Sequence, residues 1–168
     1  MKNIVLIGMP SSGKSTVGKL LSDKMSMAFA DTDALIFKRE NRALRDIVNN
    51  DGLDAFLKIQ QEVILKINLT DSIISTGGSV VYSEASMLHL KQNGVVVYLE
   101  EEYSEIEGRV EAGRRFARNG DQTLLDLYNE RTPLYLRYAD ITIKCSHKSA
   151  NEVAQEVKSI IEALNAGG

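Results

Sequence analysis

Eight residues near the start of the chain have the types and the spacing of a loop that binds polyphosphate. Segment Gly8–Ser15 reads Gly-Met-Pro-Ser-Ser-Gly-Lys-Ser and fits the pattern G-x-x-x-x-G-K-[ST] in full. Glycines let backbone N–H groups turn inward around an anion, and the helix that follows directs its positive N-terminal end at it. The alternative is a glycine-rich turn without a ligand. An apolar run before the loop and an amphipathic stretch after it favour the phosphate loop.

Within this loop the residue types predict separate roles. We expect the ammonium of Lys14 to reach the β- and γ-phosphate oxygens, and the hydroxyl of Ser15 to be a ligand of Mg²⁺. The remaining candidate nucleotide-binding residues are Gly8, Ser11, Ser12, Gly13 and Thr16. The pattern N-K-x-D, which reads guanine, is absent, and 168 residues leave no room for a second lid domain. The loop therefore predicts ATP and Mg²⁺ as cofactors and favours a small kinase.

Two carboxylates, Asp31 and Asp33, follow the second predicted strand. In an open parallel sheet, ligands bind beyond the carboxyl ends of the strands. A carboxylate there can hold Mg²⁺ through water, accept a hydrogen bond from a substrate hydroxyl, or accept the hydroxyl proton during phosphoryl transfer. The alternative for Asp33 is an N-cap of the helix that starts near Ala34. The pair of aspartates at this position favours a functional site.

Short apolar runs alternate with longer helical periods, which predicts an α/β fold with a parallel sheet. The predicted strands are residues 4–8, 27–30, 73–74, 95–99 and 141–143. Their unalternated apolar residues indicate strands that are buried on both faces. Residues 33–68 carry only helical patterns and form the predicted substrate-binding segment. Residues 112–122 are polar and basic and predict a mobile lid, so we interpret residues 1–168 as one domain.

The composition excludes several classes of protein. The 20 basic and 23 acidic residues give a net charge of only −3, whereas sequence-independent nucleic-acid binding requires a strong basic bias. No apolar run approaches the roughly 18 residues of a membrane span, so neither nucleic acid nor a membrane is a predicted partner. The single cysteine, Cys145, fits a reducing cytoplasm, and we expect a monomer. The acidic run Glu100–Glu102 is interpreted as a solvated face.

Taken in order, these motifs resemble those of the shikimate kinases, small P-loop kinases related to the nucleoside monophosphate kinases. The matching segments are Gly8–Ser15, Asp31–Asp33, Asp51-Gly52 with Phe56, Thr76–Val80, Val96–Glu100, Arg109, Glu130–Tyr135 and Ala139–Ile143. The resemblance implies a three-layer fold with a five-stranded parallel sheet of order 2-3-1-4-5, flanked by helices. It also implies transfer of the ATP γ-phosphoryl group to a hydroxyl, with shikimate as the leading acceptor and a place in aromatic amino acid biosynthesis.

The resemblance carries roles for individual residues. It implies that Lys14, Ser15 and Asp31 bind the phosphates and the metal. It implies that Arg109 lies against the adenosine. The residues that it implies for substrate binding are Asp33, Gly77, Gly78 and Arg131. The alternative for Arg131 is an ion pair on a helix surface with Glu130 or Asp126.

Three positions depart from the family pattern in the segment that reads the acid substrate. Leu57 stands where the family has an arginine, Gln60 where it has a partner glutamate, and Leu53 where it has an acid. A buried carboxylate without its bidentate arginine loses a bond that contributes on the order of several kcal/mol. The acceptor is therefore shikimate, another hydroxylated metabolite or a nucleoside, unless the chain binds nucleotide without transferring phosphate.

The predicted lid also differs from the family, because it lacks the sequence Arg-Pro-Leu-Leu and carries Arg114, Arg115 and Arg118 instead. An arginine on a closing lid stabilises the charge on the transferred phosphoryl group. The alternative is a basic solvated loop. We expect at least one of the three to reach the phosphates, and Arg115 joins Lys14 and Asp33 as a predicted catalytic residue.

Overall fold

The computed structural model describes residues 2–110 and 120–167 of the chain. Its strands are β1 (Asn3–Ile7), β2 (Ala28–Asp31), β3 (Ser72–Ser75), β4 (Gly94–Glu100) and β5 (Ile141–Lys144). Its α-helices are α1 (Lys14–Met25), α2 (Thr32–Glu40), α3 (Leu44–Asp51), α4 (Leu53–Leu65), α5 (Glu84–Gln92), α6 (Tyr103–Arg109), α7 (Leu124–Tyr138) and α8 (Ala150–Ala166). A short 3₁₀ helix covers Val80–Tyr82.

The strands form one parallel sheet in the order β2-β3-β1-β4-β5, as the family resemblance implies. Central strand β1 pairs with β3 on one side and with β4 on the other, so that Val5 lies between Ile74 and Val96. The chain leaves β1 towards β2 on one side and later returns to β4 on the other. The end of β1 is therefore the switch point of the sheet, where a ligand crevice opens.

Two apolar layers cover the two faces of the sheet. Residues of β1 alternate between them, with Val5 and Ile7 in one cluster and Ile4 and Leu6 in the other. Because both faces are covered, all five residues of β1 are buried, which explains its unalternated apolar run. The prediction of burial on both faces is also correct for β3. It is wrong for β2 and β5, which are partly exposed because they form the edges of the sheet.

The segment between β2 and β3 is helical, as predicted, and folds on a small core of its own. Helices α2, α3 and α4 contribute the buried side chains Ile36, Ile47, Phe56 and Val63. This packing holds α4 next to the carboxyl edge of the sheet. All three positions at which the chain departs from the family pattern, Leu53, Leu57 and Gln60, belong to α4.

The predicted lid lies largely outside the described residues, and so do Arg114, Arg115 and Arg118. The described structure resumes at Gly120 and enters α7 through a capping box formed by Thr123 and Asp126. Among the described residues, no helix has both the length and the apolar character needed to cross a membrane.

Candidate active site

The phosphate loop joins β1 to α1, and its backbone has the shape that the sequence pattern predicts. Gly13 adopts a φ of 87° at the N-cap of α1, and Ser11 has a φ of 63°. Gly8 lies against β4, where an added Cβ would come within 2.9 Å of the Leu99 carbonyl oxygen. Glycine is therefore required at Gly13 because of the backbone conformation and at Gly8 because of the limited space. The N-terminal N–H groups of α1 face the loop, which fits an anion of the polyphosphate class.

Lys14 is buried within this loop, with 7% of its surface exposed. Its ammonium donates hydrogen bonds of 2.7 Å to the carbonyl oxygens of both Gly8 and Met9. A third contact of 3.4 Å reaches Oγ of Ser12. These bonds hold a positive charge at the centre of the loop, where the sequence predicts the β- and γ-phosphates.

A row of oxygen atoms lies beside the loop at the carboxyl edge of the sheet. Ser15 Oγ donates a hydrogen bond of 3.0 Å to Asp31 Oδ2 and lies 3.4 Å from Ser75 Oγ. The other carboxylate oxygen, Asp31 Oδ1, accepts from the backbone N–H groups of Asp33 and Ala34 and caps α2. Hydroxyl and carboxylate oxygens are the ligand types that Mg²⁺ prefers, so this group fits the predicted metal. The alternative that Asp33 is the helix cap is wrong, because Asp31 occupies that position.

Arg109 lies at the outer side of the phosphate loop. Its Nη1 is 3.4 Å from the Ser11 carbonyl oxygen and donates to Glu101 Oε1 over 2.9 Å, while Nη2 donates to Glu105 over 3.1 Å. The hydrogen bond to Glu101 is the main cause that raises the pKa of Arg109. Glu101 is only 4% exposed, so the predicted solvated acidic face is wrong at this residue. The contact with the loop is consistent with the implied place of Arg109 beside a bound nucleotide.

Four predicted substrate residues meet at one point next to the phosphate loop. A Cβ added to Gly77 would lie 2.5 Å from Asp33 Oδ1, and one added to Gly78 would lie 3.0 Å from Arg131 Nη1. The same added Cβ on Gly78 would lie 2.8 Å from Cδ of Pro10 in the loop. A carboxylate and a guanidinium thus lie so close to the two glycines that a larger residue at either position would displace them.

Arg131 is buried in α7, with 1% of its surface exposed, so the alternative of a surface ion pair is wrong. Its Nε donates to Tyr82 Oη over 3.1 Å, and the guanidinium lies 5.2 Å from the centre of the Tyr82 ring. Tyr82 in turn donates to Glu130 over 2.7 Å. Sequence reasoning missed Tyr82, because it is separated from Arg131 by 49 residues and belongs to no motif.

Tyr135 in α7 is fully buried and stacks against Tyr98. Its hydroxyl also donates a hydrogen bond of 2.6 Å to the Gly78 carbonyl oxygen, a role that the sequence did not indicate. Burial raises the pKa of the Tyr135 hydroxyl above its ordinary value. Tyr135 therefore fixes one of the two glycines of the substrate site.

The α4 side of the site contains two of the three replaced positions, Leu57 and Gln60. Leu57 lines a cavity of about 230 Å³ between α4 and the 3₁₀ helix, together with Ser79 and Tyr82. Gln60 is 3% exposed, and its Oε1 accepts a hydrogen bond of 3.1 Å from Ser79. The structure thus brings Leu57 and Gln60 to the same site as the glycine pair. Of the predicted site residues, Thr16 is exposed on α1, and Arg115 lies outside the described residues.

Comparison with known proteins identifies the family. The family model named shikimate kinase matches residues 10–162, which is most of the chain. The chain belongs to the shikimate kinase family. The shikimate kinase of Thermoanaerobacter pseudethanolicus is 37% identical over 168 aligned positions, and the alignment covers 94% of each of the two chains.

Structural comparison agrees with this family. A solved shikimate kinase from Acinetobacter baumannii in complex with shikimate has a TM-score of 0.89 at 27% identity, covering 97% of this chain and 94% of that one. One further relative has a different name. Mouse Threonine synthase-like 1 is 34% identical over 166 aligned positions, and the alignment covers 96% of this chain but only 22% of the mouse protein.

These likenesses confirm the predicted fold class and the predicted reaction class. As a member of the shikimate kinase family, the chain is an ATP-dependent kinase, a transferase whose phosphoryl acceptor is an alcohol. Aromatic amino acid biosynthesis fits this family. The individual site residues and the identity of the acceptor remain predictions.

Proposed function

We propose that the chain transfers the γ-phosphoryl group of ATP, bound with Mg²⁺, to a hydroxyl of a small acceptor held between Asp33 and Arg131. The observation that carries this proposal is the contact of the acceptor residues with the phosphate loop. Gly77 lies against Asp33, and the adjacent Gly78 lies against Pro10 of that loop. An acceptor hydroxyl on Asp33 would therefore be placed beside the phosphates.

Each proposed role follows from the chemistry of the side chain. Asp33 would hold the acceptor hydroxyl and accept its proton as the bond to phosphorus forms. Lys14 would bind the β- and γ-phosphate oxygens, while Ser15 and Asp31 would hold Mg²⁺ directly or through water. The bound metal would neutralise charge on those oxygens. Arg109 would contact the adenosine.

The proposed lid, residues 112–122, would close over the phosphates and exclude water, so that ATP is not hydrolysed in place of the transfer. Arg115 would then stabilise the charge on the transferred phosphoryl group. We further propose that residues 1–168 act as a single domain, as a monomer in the cytoplasm. The buried thiol of Cys145 is compatible with a reducing compartment.

Shikimate is the first acceptor to test. The Acinetobacter baumannii protein, whose fold this chain shares over 97% of its length, is described in complex with shikimate. Arg131 supports the choice, because its buried guanidinium beside Gly78 offers a cation to a carboxylate.

A hydroxylated amino acid is the second candidate acceptor, and one observation favours it. A relative that matches nearly the whole chain over 22% of its own length is named Threonine synthase-like 1. L-homoserine, the isomer of threonine with a terminal hydroxyl, therefore joins shikimate in the test.

The proposal is tested by incubating the protein with MgATP and single acceptors while measuring ADP release and the mass of the product. We expect ADP in step with a product that is heavier by one phosphoryl group. Release of ADP that is independent of every acceptor would identify an ATPase and contradict the proposal. Binding of ATP without any turnover would support the alternative of a nucleotide-binding protein.

A further inference from the structure

Gln60 carries a buried donor that has no partner in the part of the chain that the structure describes. The side chain is 3% exposed, and Nε2 makes no hydrogen bond among the described residues. A buried amide that leaves an N–H unpaired destabilises a fold by about 1–3 kcal/mol, and such groups are rare in native proteins. Retention of one in a binding site points to a partner that arrives with the ligand.

The unpaired donor faces the place where the acceptor would bind. A Cβ added to Gly77 would lie 3.2 Å from Gln60 Nε2 and 2.5 Å from Asp33 Oδ1. The donor and the carboxylate therefore converge on the same glycine from two helices, α4 and α2. When an acceptor hydroxyl donates to Asp33, an oxygen on the adjacent atom of that acceptor would lie within reach of Gln60 Nε2.

The amide of Gln60 is held in this direction by its surroundings. Its other end, Oε1, accepts from Ser79 Oγ over 3.1 Å, and Ser79 is itself buried. The neighbouring position on α4 is Leu57, which presents an apolar surface to the adjoining cavity. This side of the site therefore offers one oriented, uncharged donor in place of the arginine and glutamate of the family pattern.

We propose that Gln60 determines acceptor specificity by donating a hydrogen bond from Nε2 to an oxygen next to the transferred hydroxyl. The acceptor class is then a small molecule with two neighbouring oxygens, one that donates to Asp33 and one that accepts from Gln60. This inference rests on the proposed function, because it assigns a residue to the acceptor half of the same site.

The test compares Gln60→Met with the wild type, using the best acceptor found among shikimate, L-homoserine and small vicinal diols. Methionine has a similar volume but no donor, so we expect KM for the acceptor to rise about tenfold, while KM for ATP changes less than twofold. Gln60→Glu replaces the donor by a carboxylate near Asp33, and we expect a rise of about a hundredfold. Gln61→Met is the matched control, because Gln61 is the adjacent glutamine of α4 and accepts from Ser83 rather than from Ser79.

The outcomes separate this inference from the function on which it rests. A tenfold rise in acceptor KM for Gln60→Met, with an unchanged melting temperature and an unaffected Gln61→Met, supports it. An unchanged acceptor KM for Gln60→Met overturns the inference and leaves the kinase assignment intact. Equal rises in KM for acceptor and ATP with a lower melting temperature also overturn it, because they indicate a structural role. No acceptor-dependent ADP from the wild type would overturn both.

Discussion

The side chains of Ser15 and Asp31 are joined by a hydrogen bond of 3.0 Å between Ser15 Oγ and Asp31 Oδ2. This bond connects the first turn of α1 to the end of β2, although β3 lies between β2 and β1 in the sheet. The second carboxylate oxygen of Asp31 caps α2, so backbone N–H groups hold the carboxylate in place. The proposed metal ligands are therefore oriented by the fold itself.

Asp31→Asn tests this arrangement. Asparagine is as good an N-cap as aspartate but lacks the charge, so the stability of α2 remains while the attraction for a cation falls. We expect the Mg²⁺ concentration for half-maximal ADP release to rise at least tenfold, with a melting temperature within about 2 °C of the wild type. Asp31→Ala, which also removes the cap, should lower the melting temperature as well. An unchanged Mg²⁺ requirement in Asp31→Asn would refute the role.

Lys14→Ala tests the phosphate loop. Removal of the buried ammonium takes away the cation proposed to bind the β- and γ-phosphates, so turnover should fall by about 10³-fold or more. Lys19→Ala, on the exposed face of the same helix, is the control and should retain wild-type turnover. The measurement is acceptor-dependent ADP release at saturating MgATP. Substantial turnover in Lys14→Ala would contradict the assignment of this loop as the site that binds the ATP phosphates.

Gly77→Ala tests the close approach of the acceptor residues. The added Cβ would lie 2.5 Å from Asp33 Oδ1, so the carboxylate must move, and we expect kcat to fall about a hundredfold while the protein stays folded. Gly108→Ala in α6 is the matched control, since apart from its chain neighbours and the backbone of its own helix no described atom lies within 4 Å of its added Cβ. That control should keep full activity and gain about 0.5–1 kcal/mol of stability from higher helix propensity. Equal activity of the two variants would argue against the proposed position of Asp33.

Much of the fold follows from local sequence patterns. The unalternated runs of β1 and β4 predict buried parallel strands, and the phosphate-loop pattern predicts the strand-to-helix turn at Gly13. The edge strands were harder, because the residues of β2 and β5 resemble those of buried strands while their exposure depends on which strands lie beside them. Neighbour relations in a sheet are set by the whole chain rather than by one segment.

The site was predicted where a motif places a residue directly, as for Lys14 and Ser15. It was missed where a side chain acquires its role through distant contacts. Tyr82 meets Arg131 across 49 residues, and the buried Glu101 accepts a hydrogen bond from Arg109, eight residues further along the chain. Three consecutive acidic residues are usually exposed to solvent. No local pattern in the sequence distinguishes Glu101, which is buried and paired with Arg109, from its two neighbours.

Leu57→Arg combined with Gln60→Glu tests the interpretation of the acid-reading positions. The arginine would restore a charge-assisted bond to a carboxylate, and the glutamate would supply its partner, so affinity for shikimate should rise at least tenfold. Equilibrium titration of shikimate by calorimetry measures the change. Gln60→Glu alone is the control and should weaken binding, because its charge lacks the arginine. Unchanged binding of the double variant would contradict the alignment of these positions.

Cys145 provides a pH-dependent prediction. Burial raises the pKa of its thiol to about 12 from an ordinary value of 9.0, so the folded state keeps the proton where the unfolded state loses it. The contribution of the protonated thiol to the free energy of unfolding is fully present below about pH 9 and is lost as the pH rises from there towards 12. We expect the advantage of the wild type over Cys145→Ala in free energy of unfolding to shrink between pH 8 and pH 10.5. Ellman's reagent should not modify the native thiol at pH 8, and rapid modification of the folded protein would contradict this burial.

The central claim is that the carboxylate of Asp33 holds an acceptor hydroxyl beside the phosphates of bound ATP. The most direct measurement is acceptor-dependent ADP release by the wild type and by Asp33→Asn, with shikimate and L-homoserine tested separately and Asp23→Asn on the exposed side of α1 as the control. The account predicts turnover by the wild type and by Asp23→Asn with at least one acceptor, and a loss of about 10²–10⁴-fold in kcat for Asp33→Asn. Full activity of Asp33→Asn, or ADP release that no acceptor increases, would contradict it.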